Sequence, residues 1–233
     1  MSLQKCFFLT DSYNPNEPED EWTLVYEKTT AGSDTLNLGW GKYRFEASAG
    51  GGGSGAALGR TEGVTFNEAG ASGGTGAYGS FIVSVDMGNT DEFSLVVGAG
   101  GNGGTRIHGT APTSSGGATT ISSTNLGTIV TLNGGGGAHA HATANGDVAS
   151  VGGGGGFTTT LATHNLSNGR NGASATTSSG NRSAGTTNNP TPYDTGGYGG
   201  AWSYSSSAGT MFGGNGGAGF IRIYKSQVYP KGV

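Results

Sequence analysis

The sequence predicts an all-β fold, with antiparallel, β-sandwich-like strands and glycine-rich polyglycine II segments packed as a layer or bundle. Three observations lead there. Short apolar runs alternate inward and outward residues with the period of two expected of half-buried strands. Nearly every such run ends in a glycine cluster, and the chain holds 50 glycines in 233 residues. No window sustains a helical period. The length fits one domain with an appendage: residues 1–31 as an N-terminal arm or edge strand, and residues 32–233 as a glycine-rich β domain with a loop insert at 157–211.

Residues 1–31 differ in composition from the rest of the chain. An acidic, proline-punctuated run (Asn14, Pro15, Asn16, Glu17, Pro18, Glu19, Asp20, Glu21) precedes a strand-like stretch at 22–26, which suits either an edge strand or an attachment arm. Residues 35–38 and a turn-like 39–42 lead into Tyr43, Arg44, Phe45, Glu46 and Ala47, where aromatic and charged residues alternate. That run enters the glycines at 50–53. Residues 81–85 and 93–97 are apolar and β-branched, and Gly88, Asn89 and Asp91 supply turn chemistry between them, so the pair reads as a hairpin. The second of these runs enters the glycine cluster at 98–104. Residues 118–122 and 128–132 flank Asn125, Leu126 and Gly127, and residues 220–224 form the last strand, entered from glycines at 213–217.

Glycine is costly to order, by roughly 0.5–1 kcal/mol relative to alanine within regular structure, so strands that end in glycine need a reason. Flexible linkers are one reading. Against it, these clusters are short and adjoin the best strands instead of separating domains. Chains without side chains can lie side by side at close range. In an extended threefold helix of the polyproline II type, each N–H and C=O projects sideways with no internal partner. Packed together, such segments must hydrogen-bond one another, because an orphaned buried backbone group costs about 1–3 kcal/mol. The clusters therefore predict a polyglycine II bundle.

Polar inserts separate the clusters, at about 57–72, 105–116, 138–150 and 157–211. The last is the longest, and Tyr193, Asp194, Tyr198, Trp202 and Tyr204 stand near its end. Aromatic rings among small polar residues suit an adaptable binding surface and stacking on sugar rings; they equally suit covering a small core. His139 and His141 are two residues apart and share a face if extended. Two imidazoles fall short of a closed metal site. Only a homotrimer would bring six to one axis, and otherwise they are an exposed loop pair.

Composition excludes several classes. There is no Gly-X-Y period and only 6 prolines, which excludes collagen. Leu, Ile, Val and Phe make up about a sixth of the chain, a level that often accompanies disorder. Disorder also calls for high net charge, and here the net charge is -4 and the apolar residues are grouped. No basic run offers a footprint for nucleic acid, and no apolar stretch is long enough to insert in a membrane. The apolar patch at residues 6–9 is too short for a secretory signal peptide. Gly98, Gly100 and Gly103 match a dinucleotide fingerprint formally, but Thr105, Arg106, Ile107 and His108 do not open the helix it requires. Carboxylates are sparse and no strained nucleophile turn is present. The sequence therefore predicts neither an enzyme nor a cofactor.

The order of these pieces resembles the glycine-rich domains of bacteriophage tail-fibre and receptor-binding, adhesin-like proteins. The resemblance rests on residues 42–47 running into 50–53, on Gly73, Gly74, Thr75, Gly76, Ala77 and Tyr78 before the 81–85 strand, on 93–101, on 115–121, and on 216–223. It spans about residues 35–225. It implies a β-sandwich with polyglycine II layers, whose loops grip a receptor on the host surface. By that resemblance the chain is a non-enzymatic receptor-binding or tail-fibre tip protein of a phage or prophage. It would be made in the bacterial cytoplasm and carried on the virion tail, with fibre subunits and a bacterial surface receptor as partners. The receptor would be a saccharide or an outer-membrane or cell-wall component, and a homotrimer is compatible with this. The structural alternative is a fibre or cell-surface component with no receptor role.

Overall fold

The computed structural model describes residues 21–55, 71–106, 113–138, 151–172, 176–178, 181–183 and 211–227. These residues form β1 (Trp22–Lys28), β2 (Gly32–Ser48), β3 (Tyr78–Val97), β4 (Thr105–Arg106), β5 (Thr119–Ser123), β6 (Gly127–Leu132), β7 (Phe157–Thr159), β8 (Asn165–Ser167), β9 (Thr176–Ser178), β10 (Asn181–Ser183), β11 (Met211–Phe212) and β12 (Phe220–Ser226). No helix is present among them. Eight strands make one antiparallel sheet in the order β1-β12-β2-β3-β5-β6-β7, with β8 also paired to β3. Two small two-stranded sheets, β9 with β10 and β4 with β11, lie outside it.

The long β2–β3 ribbon is the spine of the sandwich. Its register runs from Gly32↔Val97 to Gly39↔Thr90, breaks, and resumes from Gly41↔Val85 to Ser48↔Tyr78. Trp40 thus faces the four residues 86–89, a wide bulge in which Gly88 has φ +81° and Gly41 has φ +153°. Burial alternates on both sides of the bulge: Phe81, Val83 and Val85 are buried, as are Phe93, Leu95 and Val97. Both halves of the ribbon therefore turn the same face inward. Phe45 stacks on its register partner Phe81 at 5.1 Å and also lies 5.4 Å from Phe93. Phe93 pairs with Leu36, and the nine steps along the chain from Leu36 to Phe45 would span about 30 Å if extended. The ribbon must fold back at the bulge, closing β1-β12-β2-β3-β8 over β2-β3-β5-β6-β7 as two layers. Phe45, Phe93, Leu95, Ile121, Ile129, Leu132, Ile221 and Ile223 fill the space between, all fully buried.

Three expectations are corrected here. Residues 81–85 and 93–97 do not pair with each other; they are two halves of β3, each paired to β2. Gly88 supplies a positive-φ bend, which serves a bulge as well as a hairpin turn. The stretch 39–42 likewise lies within β2. The insert expected at 157–211 begins later than predicted: β7 pairs with β6, and β8 pairs with β3. Residues 22–26 lie in β1, an edge strand joined to β12 within the same sheet. The hairpin at 125–127 is present, with Ile121 opposite Val130 and Gly127 at φ +69°.

Charge pairs decorate the outer face of the first layer. The Arg44 guanidinium lies between the rings of Trp22, at 5.1 Å, and Tyr224, at 4.6 Å, with an amino nitrogen 3.2 Å from the Glu46 carboxylate. Arg222 donates to Glu27 at 2.7 Å. Burial and the neighbouring Glu46 carboxylate push the Tyr224 hydroxyl up. These contacts stitch β1, β12 and β2 together, and being partly exposed they contribute modestly.

At the start of β2, the Tyr26 hydroxyl donates to an Asp34 carboxylate oxygen at 3.0 Å. Burial and that carboxylate push Tyr26 from an ordinary 10.0 up to about 12. The backbone N–H of Thr35 and the Tyr26 hydroxyl hold Asp34 below its ordinary value. A raised tyrosine stabilises the fold fully below pH 10 and loses that contribution as the pH rises towards 12. The gap in unfolding midpoint between the native chain and Tyr26→Phe is therefore expected to stay constant up to about pH 10 and to close above it. A gap that is flat across the alkaline range would refute the linkage. On the acid side, Asp34 contributes above the ordinary carboxylate range and loses its contribution as the pH falls through its lowered pKa.

Candidate functional site

Each strand that leaves the lower edge of the sandwich continues into a glycine-rich segment. In chain order the described segments are a first (49–55), second (71–77), third (98–104), fourth (113–118), fifth (133–138), sixth (151–156), seventh (168–172) and eighth (213–219). Their backbones hydrogen-bond to one another. In the first segment the N–H groups of Ala49, Gly52 and Gly55 donate to the second segment, at Ala77, Gly74 and Ala71. Those of Gly50 and Gly53 donate to the fourth, and those of Gly51 and Ser54 to the eighth. Each neighbour is addressed by every third residue. Carbonyls follow the same rule: Gly51 and Ser54 accept from the third segment, and Gly50 and Gly53 from the fifth.

The glycines are required by this proximity. A Cβ on Gly50, Gly52, Gly53, Gly100, Gly103 or Gly135 would overlap a carbonyl of the adjoining segment. Side-chain oxygens finish the contacts that glycine leaves open. The Thr119 hydroxyl accepts from the Gly98 N–H at 3.0 Å and donates to the Ser48 carbonyl at 2.9 Å, tying bundle to sandwich. Asn215 and Asn171 accept from the N–H groups of Gly103 and Gly154.

The hydrogen-bond registers fix direction. The first and second segments run antiparallel, since 49, 52 and 55 meet 77, 74 and 71. The third runs parallel to the first, because Gly101 and Gly104 donate to Gly51 and Ser54. The eighth runs antiparallel to the third, with Gly213, Gly216 and Gly219 donating to Gly104, Gly101 and Gly98. Carried through the remaining pairs, successive segments alternate in direction. The far ends of all segments accordingly meet at one end of the bundle: Gly55 bonds to Ala71, Ala138 to Gly53, Gly104 to Ser54, Gly213 to Gly104 and Gly172 to Gly152. Each insert is flanked by residues at this end. At the opposite end of the molecule, beside the ribbon bend, the Gln227 N–H donates to the Glu21 carbonyl at 2.8 Å, so the described chain enters and leaves there.

The predicted contact residues Tyr193, Asp194, Tyr198, Trp202 and Tyr204 lie outside the described residues, as do His139 and His141. The residues that carry these stretches, Ala138, Gly172 and Gly213, are described, and they sit at the shared far end. Among the described residues no group of three or more His, Cys, Asp or Glu side chains could hold a metal ion. No helix there is long and apolar enough to cross a membrane. What sequence reasoning missed is the common end. Alternating segment direction depends on strand order, and glycine runs of similar sequence carry no mark of it. The chain matches no protein-family model, and no characterised protein shows significant similarity to it.

Proposed function

We propose that the chain is a non-enzymatic, receptor-binding tip protein of a bacteriophage or prophage tail fibre, and that its glycine segments form a polyglycine II bundle. The threefold rotation of donors and acceptors supports the bundle, because a threefold extended helix presents every third peptide group to the same neighbour. One observation carries the function: the inserts spring from one end of a stiff, side-chain-poor support, opposite the end where the described chain enters and leaves. Such polarity suits attachment at one pole and recognition at the other. Loops on a rigid scaffold are where binding residues concentrate. Residues 138–150 and the part of 157–211 beyond β8 are the contact regions, with Tyr193, Asp194, Tyr198, Trp202 and Tyr204 as the aromatic and acidic anchors.

Binding of the purified chain to a panel of bacterial strains tests this. The native chain is expected to bind at least one strain, and deletion of residues 193–204 to lower that binding at least tenfold with the unfolding midpoint unchanged. Full binding by the deletion variant would remove these residues from the site. Binding to fibre subunits but to no strain would favour a purely structural fibre component.

A further inference from the structure

The sixth segment is bonded to described neighbours on one side only. The N–H groups of Gly152 and Gly155 donate to Ser72 and Thr75 of the second segment. The carbonyls of Gly153 and Gly156 accept from the fifth, at Gly136 and Asn133. Those of Gly152 and Gly155 accept from the seventh, at Gly172 and Gly169, and the Gly154 N–H turns to the Asn171 side chain there. Two rows remain, each spaced by three residues. The N–H groups of Gly153 and Gly156 and the carbonyls of Val151 and Gly154 have no partner among the described residues. Donor and acceptor directions alternate around a threefold segment, so the unmet donors point along the flank beside the fifth segment, away from the seventh. On that flank the Gly134 and Gly137 carbonyls of the fifth segment also have no partner among the described residues. A lane thus runs beside both segments, with donors on one wall and acceptors on the other.

The lane is open: Gly153 is exposed, and Gly134, Gly137, Gly154 and Gly156 are half-buried. Glycine at 153 has no reason within the chain. Other exposed positions of the rim carry side chains, as Ala99, Asn102, Ser115, Ala118 and Asn215 do. A Cβ on Gly153 meets nothing within 4 Å, and one on Gly156 meets only the Asn168 side-chain oxygen at 3.9 Å. Neither residue has a left-handed φ. Ordering a glycine costs roughly 0.5–1 kcal/mol more than ordering an alanine. At Gly52 and Gly100 a neighbouring backbone comes so close that no other residue fits. At Gly153 that close approach must come from outside the chain.

We infer that the lane receives the sixth segment of a second copy of this chain. Only an extended backbone without side chains can come close enough to pair with both walls. The chain carries such a strand at its own rim, with complementary groups unmet. The Val151 and Gly154 carbonyls of the incoming segment suit the Gly153 and Gly156 donors of the copy it enters, and a row of its N–H groups meets Gly134 and Gly137. Unpaired backbone at an edge is a template for another chain, as it is at the rim of a β-sheet. Lane and inserted strand are different surfaces, so the contact is heterologous. A pair of copies still holds one free lane and one free strand, and association continues to a closed ring or a filament. The inference rests on the polyglycine II reading and adds to it what the scaffold assembles with.

Sedimentation and amide exchange of the full chain, dilute and concentrated, test this together. Mass is expected to rise with concentration beyond that of a dimer. Exchange at Gly153 and Gly156 is expected to slow at least tenfold as it does so. Protection at Gly52 and Gly74, bonded to Gly74 and Gly136, is expected at both concentrations. Gly153→Asn places at 153 the residue that the rim carries exposed at 102 and 215. It is expected to leave the unfolding midpoint of the dilute chain unchanged and to weaken association at least tenfold. Four outcomes would overturn the proposal: a chain that stays monomeric, association that stops at a dimer, association that leaves Gly153 and Gly156 exchanging freely, or full association by Gly153→Asn. Protection of Gly153 and Gly156 already complete in the dilute monomer would overturn it too, by placing the occupant within one chain. Fast exchange at Gly52 and Gly74 would instead remove the polyglycine II reading. If Gly153→Asn does not fold, the concentration dependence of Gly153 and Gly156 exchange in the native chain decides.

Discussion

Replacing Gly52 by alanine is expected to destabilise the protein by about 3 kcal/mol, the upper end of what overpacking usually costs. Gly52 lies in the first segment, which is hydrogen-bonded on five sides. Its added Cβ would overlap the Gly136 carbonyl and crowd the Gly137 nitrogen. Both are backbone atoms, so no side-chain rotamer can relieve the clash; a segment has to move, and with it the bonds it makes every third residue. Gly153 is the control. A Cβ there meets nothing within 4 Å, and its φ is outside the left-handed region. Gly153→Ala is therefore expected to be neutral or to stabilise by up to about 1 kcal/mol through the unfolded chain. Urea midpoints at constant m measure both. Equal effects at the two positions would mean that the glycines serve flexibility, not proximity.

Much of this architecture is written in local patterns. The alternation at 81–85 and 93–97 places the right residues inward, because burial on one face of a strand imposes a period of two whatever the partner. The glycine clusters after residues 48, 97, 132 and before 220 mark where strands leave the sandwich. What the pattern cannot give is long-range pairing. Gly88 and Asn89 permit a bend of either kind, and only the partner β2 makes it a bulge. β7 and β8 are three residues each, and Thr158, Thr159, Asn165 and Ser167 carry no apolar alternation to betray them. Leu166 is their one buried anchor. Trp22, Arg44 and Tyr224 stack across three strands distant in sequence, so no window contains the signal. For the candidate site, sequence located the inserts and their aromatic residues. The end they share follows from hydrogen-bond register alone, which side-chain-free segments leave unspecified.

Phe45→Ala is expected to cost about 3–5 kcal/mol, the range for an aromatic removed from a close-packed core. Phe45 is fully buried, stacks on Phe81 within its own layer and tilts against Phe93 across the fold-back. Its removal therefore opens a cavity at the contact that holds the two halves of the ribbon together, whereas Phe45→Leu keeps much of the volume and is expected to cost less than half as much. The consequence reaches the bundle as well. Three residues beyond Phe45, the Ser48 carbonyl accepts the Thr119 hydroxyl, which in turn holds the Gly98 N–H, so a loosened ribbon shifts the point from which the first and third segments depart. In a Trp202→Phe background, tryptophan fluorescence, which then reports Trp22 and Trp40 in the sandwich, and glycine amide protection, which reports the bundle, are expected to lose their native signals at one lowered denaturant midpoint. Two separated midpoints in Phe45→Ala would mean that the glycine segments hold one another without help from the sandwich. The fold would then be two stable bodies joined at strand ends, in place of one cooperative unit.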